Sequence, residues 1–590
     1  MGVSRLRRPL GVSLILLAAA TGAAYAQRFP EVAPRTEQPA PPPAPRLPET
    51  PQVPANQRQI VPALKGIRFV GALNRVQTNG VTTPGVDTDD LAFLQDPAFL
   101  ADMQARLGKP LTFAGLGEIT NAAIAQYRLS HHPLVDVVTP QQDVSSGVVQ
   151  IAVIEFRVGT VTTEGNRWFS DSLLKRELDL APGETIDDRV IDGRIAELNA
   201  NPFRRTELIY QRGTQPGDTN IVLNTEDRLP IRVYGGFQDN GTRQLGINRL
   251  FTGFNWGNAL WLDHQFNYQY TTSDDALLGN PSLPGRPDDA RFIAHSASYI
   301  IPLPWHHRLT FYGFYARSVP RLPSTFNQVG ISDQASFRYS IPLVVSAAQS
   351  HEIRFGYDFK QSNNNLEFGG AQVSAGSAEI HQLAFDYTGR FADPWGSTSL
   401  TGLLVVSPGG ITRDNTDAAF QSSGAGRAGA TANYFYGQIG AERLTNLPFA
   451  TSWYVHGLVQ RSASSLLASE QFALGGDMTV RGYDQDKVLG DNGWLLVNEL
   501  RSPVWSVFSP SGPFADNLQV LGFVDVGHAA SRTPQPTEPL HATLSSVGVG
   551  FRYALGRFVN VRADWGWQLT RLPTNPGPAS RGHLTLVVAY

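Results

Sequence analysis

Cysteine is absent from the 590-residue chain, which excludes a disulfide framework, a thiolate nucleophile and a Cys-ligated metal. Stability therefore has to come from hydrogen bonding and burial. An excess of charge of either sign is also missing: Lys+Arg 48 against Asp+Glu 51 leaves a net charge of -3, with no electrostatic case for nucleic acid or a polybasic membrane contact. Beyond residue 26 no stretch reaches the roughly 18 apolar residues of a membrane helix, so any later membrane crossing has to be made of strands. Catalytic motifs are lacking too. There is no HExxH, no GxSxG and no Walker loop, since Gly108-Lys109 is followed by Pro110. Gly115-Leu116-Gly117 lacks the third glycine of a dinucleotide fingerprint and reads as a helix start. His131-His132 and His306-His307 are adjacent pairs whose rings point to different sides, so they read as turn or surface residues rather than metal ligands. No catalytic residue, metal or cofactor is expected.

The length is too great for one ordinary core, and the chain has a graded composition. Arg5, Arg7 and Arg8 precede an apolar run from Leu10 to Ala20, and small residues end at Ala24-Tyr25-Ala26, the pattern of a signal peptide (1–26) cut before Gln27. A single transmembrane anchor fits less well, because the apolar run is short and no cationic stop-transfer flank follows. Prolines recur from Pro30 to Pro54, so 27–60 is expected to be an extended, polyproline-like linker.

From Leu64 the pattern becomes mixed. Ile67–Val70 reads as a strand, Pro97–Leu107 and Leu116–Leu129 as helices, and Leu134–Val138 and Val148–Phe156 as strands. The same order follows at once: strand Gly159–Thr163, helices Ser170–Leu178 and Asp187–Asn199, strands Arg205–Arg212 and Thr219–Thr225. Ser170 and Asp187 stand where helix N-caps belong, ahead of periodic leucines and isoleucines. Two small α+β domains are expected, at 61–157 and 158–228.

Beyond Leu229 the helical period gives way to alternation. In Leu260–Tyr270 the even positions are mainly apolar or aromatic and the odd ones include Asp263, Gln265, Asn267 and Gln269. Ile353, Phe355, Tyr357 and Phe359 oppose Arg354, Asp358 and Lys360, and Val559, Val561, Ala563, Trp565 and Trp567 oppose Asn560, Arg562, Asp564 and Gln568. An apolar outside against a charged inside fits lipid facing a wet lumen. A soluble sandwich also alternates, but here aromatics gather at strand ends and no helices are left to cover a second sheet. At roughly 10 residues per strand plus turns and loops, residues 229–590 accommodate about 16 strands. The chain ends on Leu584, Leu586, Val588 and Tyr590 on one face, with His583 and Thr585 on the other. An aromatic last residue behind alternating apolar positions resembles the signal that outer-membrane barrels present to the barrel assembly machinery.

Gly115-Leu116-Gly117-Glu118, Tyr127, Thr139-Pro140-Gln141-Gln142-Asp143, Leu198-Asn199, Gly475-Gly476-Asp477 and Val480-Arg481-Gly482-Tyr483 together resemble the two-partner secretion transporters of the hemolysin-activator type. Their superfamily also contains the outer-membrane protein assembly factors. The resemblance covers nearly the whole chain after Leu64. It implies two periplasmic polypeptide-transport-associated (POTRA) domains ahead of a sixteen-stranded transmembrane antiparallel β-barrel in the outer membrane. It also implies that Val480, Arg481, Gly482 and Tyr483 lie on a long loop folded back into the barrel, with Arg481 paired to an aspartate on the inner wall. Phe523-Val524-Asp525-Val526-Gly527 resembles the family's second barrel motif. Strand parity supports the match independently: Leu518, Val520, Val524 and Val526 share one face, which leaves Phe523 and Asp525 to the lumen. Glu499 and Arg501 share an inward face and read equally well as ordinary polar lining.

One departure stands out. Family members commonly carry an N-terminal helix that plugs the resting pore, whereas Gln27–Gln59 has too many prolines for a helix of useful length. The functional expectation is export, without ATP, of a β-rich exoprotein bearing an N-terminal secretion domain, bound unfolded in the periplasm and conducted through the barrel. The alternative is an assembly factor that inserts other barrels. A passive diffusion porin with accessory domains fits the repeated α+β units less well, and a solely structural adhesin anchor is weaker still.

Overall fold

The computed structural model describes residues 28–37, 39, 52–53, 55–215, 217–278, 290–320, 326–346, 348–368, 371–422, 426–535, 538–573 and 577–590. The signal peptide expected at 1–26 and much of the linker lie outside the described residues. The chain divides into two compact units, one built on Gln38–Leu229 and the other on residues up to Glu37 with Pro230–Val344 and Ala348–Tyr590.

The first unit holds two sheets. In the first, the strands stand in the order Gly85–Asp87, Gly66–Val70, Val148–Glu155 and Val135–Val138. Val148–Glu155 lies between neighbours and is buried over most of its length, which is why it reads as a continuous apolar run rather than an alternating one. Helices Pro97–Ala105 and Phe113–Leu129 bury Met103, Ile119, Ala123 and Tyr127 with Phe69 and Ile151. The second sheet places Asp218–Asp227 between Arg157–Glu164, in parallel, and Arg204–Arg212, antiparallel. Helix Asp171–Leu178 starts on the Ser170 hydroxyl, which accepts from Leu173 N, and helix Asp188–Leu198 starts on Asp187, which accepts from Arg189 N. Leu174, Leu178 and Leu198 close the core over Ile221 and Leu223. His131 adopts φ of 65° in the turn after Phe113–Leu129 and pairs through Nδ1 with Asp188 at 2.9 Å.

The second unit is a closed barrel whose sixteen wall strands run from Ile231–Gln238 to Ser580–Ala589. The short Ala371–Ser374 strand folds back on the end of Gln349–Phe368. Closure joins first and last strands from Tyr234↔Ala589 to Gln238↔Thr585, and Val233 and Tyr590 exchange backbone hydrogen bonds of 3.1 and 2.9 Å. Outward residues such as Phe355, Trp565, Trp567 and Val588 are exposed, whereas the inward Asp358, Asp564 and His583 are buried. Leu586 is partly exposed, Val588 is half exposed and Tyr590 almost wholly so, and all three stand on or at the end of the closing strand rather than near the lumen motif.

Two expectations change. The strand expected from Leu260 begins at His264 instead, because Leu260, Trp261 and Asp263 adopt φ of 58, 63 and 62° to reverse the chain, with Asn258 accepting from Asp263 N at 2.9 Å. The linker expected at 27–60 is not wholly a spacer: Arg28–Glu37 packs inside the barrel. Proline forbids a long helix there, but Pro30 fits the first turn, and a four-residue helix forms over Phe29–Val32.

Candidate functional site

The site is a long loop returned into the barrel between wall strands Ser452–Ser462 and Asn492–Arg501. Its stem is a short hairpin, Phe472–Leu474 against Val488–Gly490. Gly475 and Gly476 open the tip with φ of 102 and 106°, a conformation that side chains rarely tolerate. Leu474, Val480, Tyr483 and Val488 then pack on Leu495, Val497, Ala529 and Leu544 of the wall, so the loop has an apolar footing before any charge is counted.

Arg481 sits at the centre, 1% exposed. Its Nε and one terminal nitrogen donate to the two oxygens of Asp525 at 2.8 and 2.7 Å, and its own backbone N–H adds a third bond to that carboxylate at 3.1 Å. The other terminal nitrogen donates to Glu499 at 2.6 Å and reaches Asp564 at 3.4 Å. The guanidinium lies 3.6 Å from the centre of the Phe523 ring, a cation–π contact strengthened by the exclusion of water. Further cations surround the carboxylates: Arg501 pairs with Glu499, and Arg552 and Arg562 with Asp564. No carboxylate is left without a partner, the condition under which a buried cluster is tolerated.

Steric room completes the fit. Gly482 has φ of 90°, and a Cβ there would lie 2.9 Å from the backbone carbonyl of Gly566. Gly566 is equally constrained, since its Cβ would come within 2.7 Å of Gly482 N. Two glycines thus let backbone meet backbone. Gly527 makes similar room, because a Cβ would fall 2.6 Å from Leu474 and 3.2 Å from Val480. The Phe523, Asp525 and Gly527 set therefore has a physical division of labour: stacking surface, charge partner and space for the loop. Tyr483 is buried and donates its hydroxyl to the carbonyls of Ser545, at 2.9 Å, and Thr570, and Gln568 donates to Gly482 O at 2.7 Å.

Strand parity put Phe523 and Asp525 on the lumen side and the family resemblance put Arg481 on the returned loop, and the structure brings these three together; parity left Glu499 as ordinary lining and did not connect Asp564, Gly566 or Gln568 to the loop. All four share lumen parity in their strands, which was the available signal. The N-terminal segment was missed altogether. Arg28 donates to Asp486 of the loop at 2.5 Å and to Glu31 at 2.8 Å. Val32 O accepts from Gln269 and Ser296, Arg35 N donates to the Tyr234 hydroxyl at 2.9 Å, and Phe29 lies 4.7 Å from the Tyr312 ring. Val32 is buried among Leu245, Phe292 and Phe314. The segment and the loop thus share the interior and touch each other.

The family model for the haemolysin secretion/activation protein ShlB/FhaC/HecB matches residues 217–553, more than half of the chain. The chain belongs to this family. A POTRA domain of the ShlB type matches residues 81–155. The chain is 23% identical over 472 residues to the outer membrane transporter CdiB of Dickeya dadantii (strain 3937), covering 76% of this chain and 75% of that protein. It is 22% identical over 207 residues to the heme/hemopexin transporter protein HuxB of Haemophilus influenzae, covering 34% and 35%. Among solved structures, CdiB from Escherichia coli aligns with a TM-score of 0.72 at 18% identity over 92% of this chain and 93% of that one. CdiB from Acinetobacter baumannii aligns at 0.61 and 15% over 98% and 97%. The chain is an outer-membrane β-barrel transporter of the two-partner secretion type, with POTRA domains in the periplasm.

Proposed function

We propose that this transporter binds an unfolded exoprotein bearing an N-terminal secretion domain and passes it through the barrel to the cell surface without ATP. The observation that carries the reading is the Arg481 cluster, which holds a long loop inside the barrel by charge and small-residue packing. Such a loop is a removable obstruction. Its buried charged anchor is Arg481 with Asp525, Glu499 and Asp564, and competition for that anchor loosens it.

Reception of the substrate is assigned to the exposed edges of the POTRA sheets. Among the described strands, Arg204–Arg212 pairs with Asp218–Asp227 on one side only. The Asn199 side chain accepts from Thr206 N and donates to Thr206 O, so by the two-residue period the backbone groups of Leu208 and Tyr210 also face the open edge. An extended chain can add there as a strand through backbone pairing. Inside the barrel, Arg338 with Asp358 and Asp386, and Lys360 with Glu470, give a polar lining that a chain rich in unpaired peptide groups can traverse. Folding on the far side supplies direction.

Deleting residues 64–228 is expected to abolish secretion while leaving a barrel in the membrane. Normal surface display of the exoprotein by that truncation would overturn the POTRA role. Comparing total outer-membrane protein profiles in the same strain separates export from barrel assembly, since an assembly factor would deplete many barrels at once.

A further inference from the structure

The outer surface of the barrel carries a groove across five neighbouring wall strands, Gln349–Phe368, Ser377–Asp393, Gly396–Pro408, Asn433–Asn446 and Ser452–Ser462. Two rows of register partners define it. One reads Phe385, Leu404, Gly437, Arg461, and the next Tyr387, Gly402, Ile439, Val459. Gly402 and Gly437 stand diagonally on adjacent strands and floor a volume of about 680 Å³, within the range of about 300–1,000 Å³ typical of ligand clefts. Its walls are exposed apolar side chains: Phe385 48%, Leu404 45%, Ile439 73% and Val459 46%.

The glycines are not there for the barrel's own packing. A Cβ on Gly402 would meet nothing nearer than Tyr387 Cβ at 3.8 Å, and one on Gly437 nothing nearer than Leu403 O at 3.5 Å, both ordinary contacts. Gly482 and Gly566 are the contrast, since there a Cβ would collide with backbone. What Gly402 and Gly437 provide is an open channel between bulky neighbours.

Arg461 ends this channel. It faces outward, is exposed, and lies two residues beyond Val459, just before the strand leaves the wall. Among the described residues its guanidinium has no ion pair or hydrogen bond. Val459 is the register partner of Trp494, which stacks on His528 at 6.4 Å, and His528 stacks on His541 at 5.7 Å. Such an aromatic girdle marks the level where hydrocarbon gives way to headgroups. Ser452–Ser462 is the eleventh wall strand and runs parallel to the first, which begins where the periplasmic domains end. Arg461 is therefore at the outer-leaflet end. An unpaired guanidinium at a lipid interface is stabilised by phosphate, which accepts two parallel N–H bonds.

We propose that this groove binds an acyl chain of a phosphorylated glycolipid of the outer leaflet, with the phosphate held by Arg461. Gln460, between Val459 and Arg461, donates inward to the carbonyls of Glu470 and Asp491 at the two roots of the loop. An occupied groove thus braces the strand from which the loop springs.

The test is native mass spectrometry of the intact protein purified from membranes in mild detergent. Three lipids are added back: lipopolysaccharide, the same glycolipid with its phosphates removed, and phosphatidylethanolamine. The unaltered protein is expected to retain lipopolysaccharide in preference to the other two. Arg461→Gln, a surface change that leaves strand pairing intact, is expected to weaken that retention by about tenfold or more, since loss of even one of the two charge-assisted hydrogen bonds supplies that factor. Gly402→Leu with Gly437→Leu fills the channel and is expected to abolish retention with Arg461 still present, heat-modifiable migration on gels confirming the folded barrel. Equal retention by the unaltered protein and Arg461→Gln overturns the proposal, as does equal retention of phosphatidylethanolamine.

Discussion

Arg481 shows what a single side chain does here. It is charged, fully enclosed and shared among Asp525, Glu499 and Asp564, with Phe523 beneath it. Removing one partner of such a cluster costs about 3–5 kcal/mol, because the remaining charges stay buried. Arg481→Ala is therefore expected to free the loop. The absence of cysteine in the chain allows a clean readout: a cysteine introduced at the buried Val480 position should resist a thiol reagent in the otherwise unaltered protein and react in the Arg481→Ala background. Equal protection in both would show that the apolar footing alone holds the loop. Exchanging charges, Arg481→Asp with Asp525→Arg, is expected to restore export only in part, since an aspartate at 481 would face Glu499 and Asp564. Full rescue, measured as surface exoprotein, would mean that the latter two contribute nothing. Gly482→Ala tests packing without touching charge. Its φ of 90° and the 2.9 Å approach to Gly566 predict a strained loop and a loss of about 1–2 kcal/mol or more, read as a lower unfolding temperature of the barrel.

At the scale of elements, the returned loop and residues Arg28–Glu37 meet inside the barrel. The N-terminal segment is tied to the loop through Arg28 and Asp486, and to the wall through Tyr234, Gln269 and Ser296. Deleting residues 28–37 is expected to raise ion conductance in planar bilayers, and Asp486→Asn to give brief openings by cutting the tie at one end. An unchanged conductance in the deletion would show that the loop alone closes the lumen. Local sequence rules misread this segment for a definable reason. They test whether a stretch can form a helix by itself, and the prolines answer that. They do not test whether a short extended piece can borrow hydrogen-bond partners from a wall more than two hundred residues away, as Val32 O does from Ser296.

For the whole molecule, closure is the decisive event, because an open sheet leaves unpaired backbone groups in lipid. The last residue takes part directly: Tyr590 N donates to Val233 O and Val233 N to Tyr590 O. Its side chain is 90% exposed, so backbone and ring have separable roles. Deleting Tyr590 is expected to reduce the folded, heat-modifiable barrel more than Tyr590→Ala does, since only the deletion removes the pairing. The reverse order would assign the terminal residue wholly to recognition by the assembly machinery.

Much of this protein was determined by sequence alone. Strand parity requires only alternation, which is local, so the outward Trp565 and Trp567, the inward Asp525 and the barrel itself were readable from residue order. The repeated helix caps at Ser170 and Asp187 are likewise local, each formed within three residues. Tertiary structure decided the rest, where partners are brought together by closure of the barrel rather than by spacing. Glu499 and Asp564 became partners of Arg481, Gly566 became the seat of Gly482, and Arg28 met Asp486 across 458 positions. Parity says which way a side chain points; only the closed wall fixes what it meets.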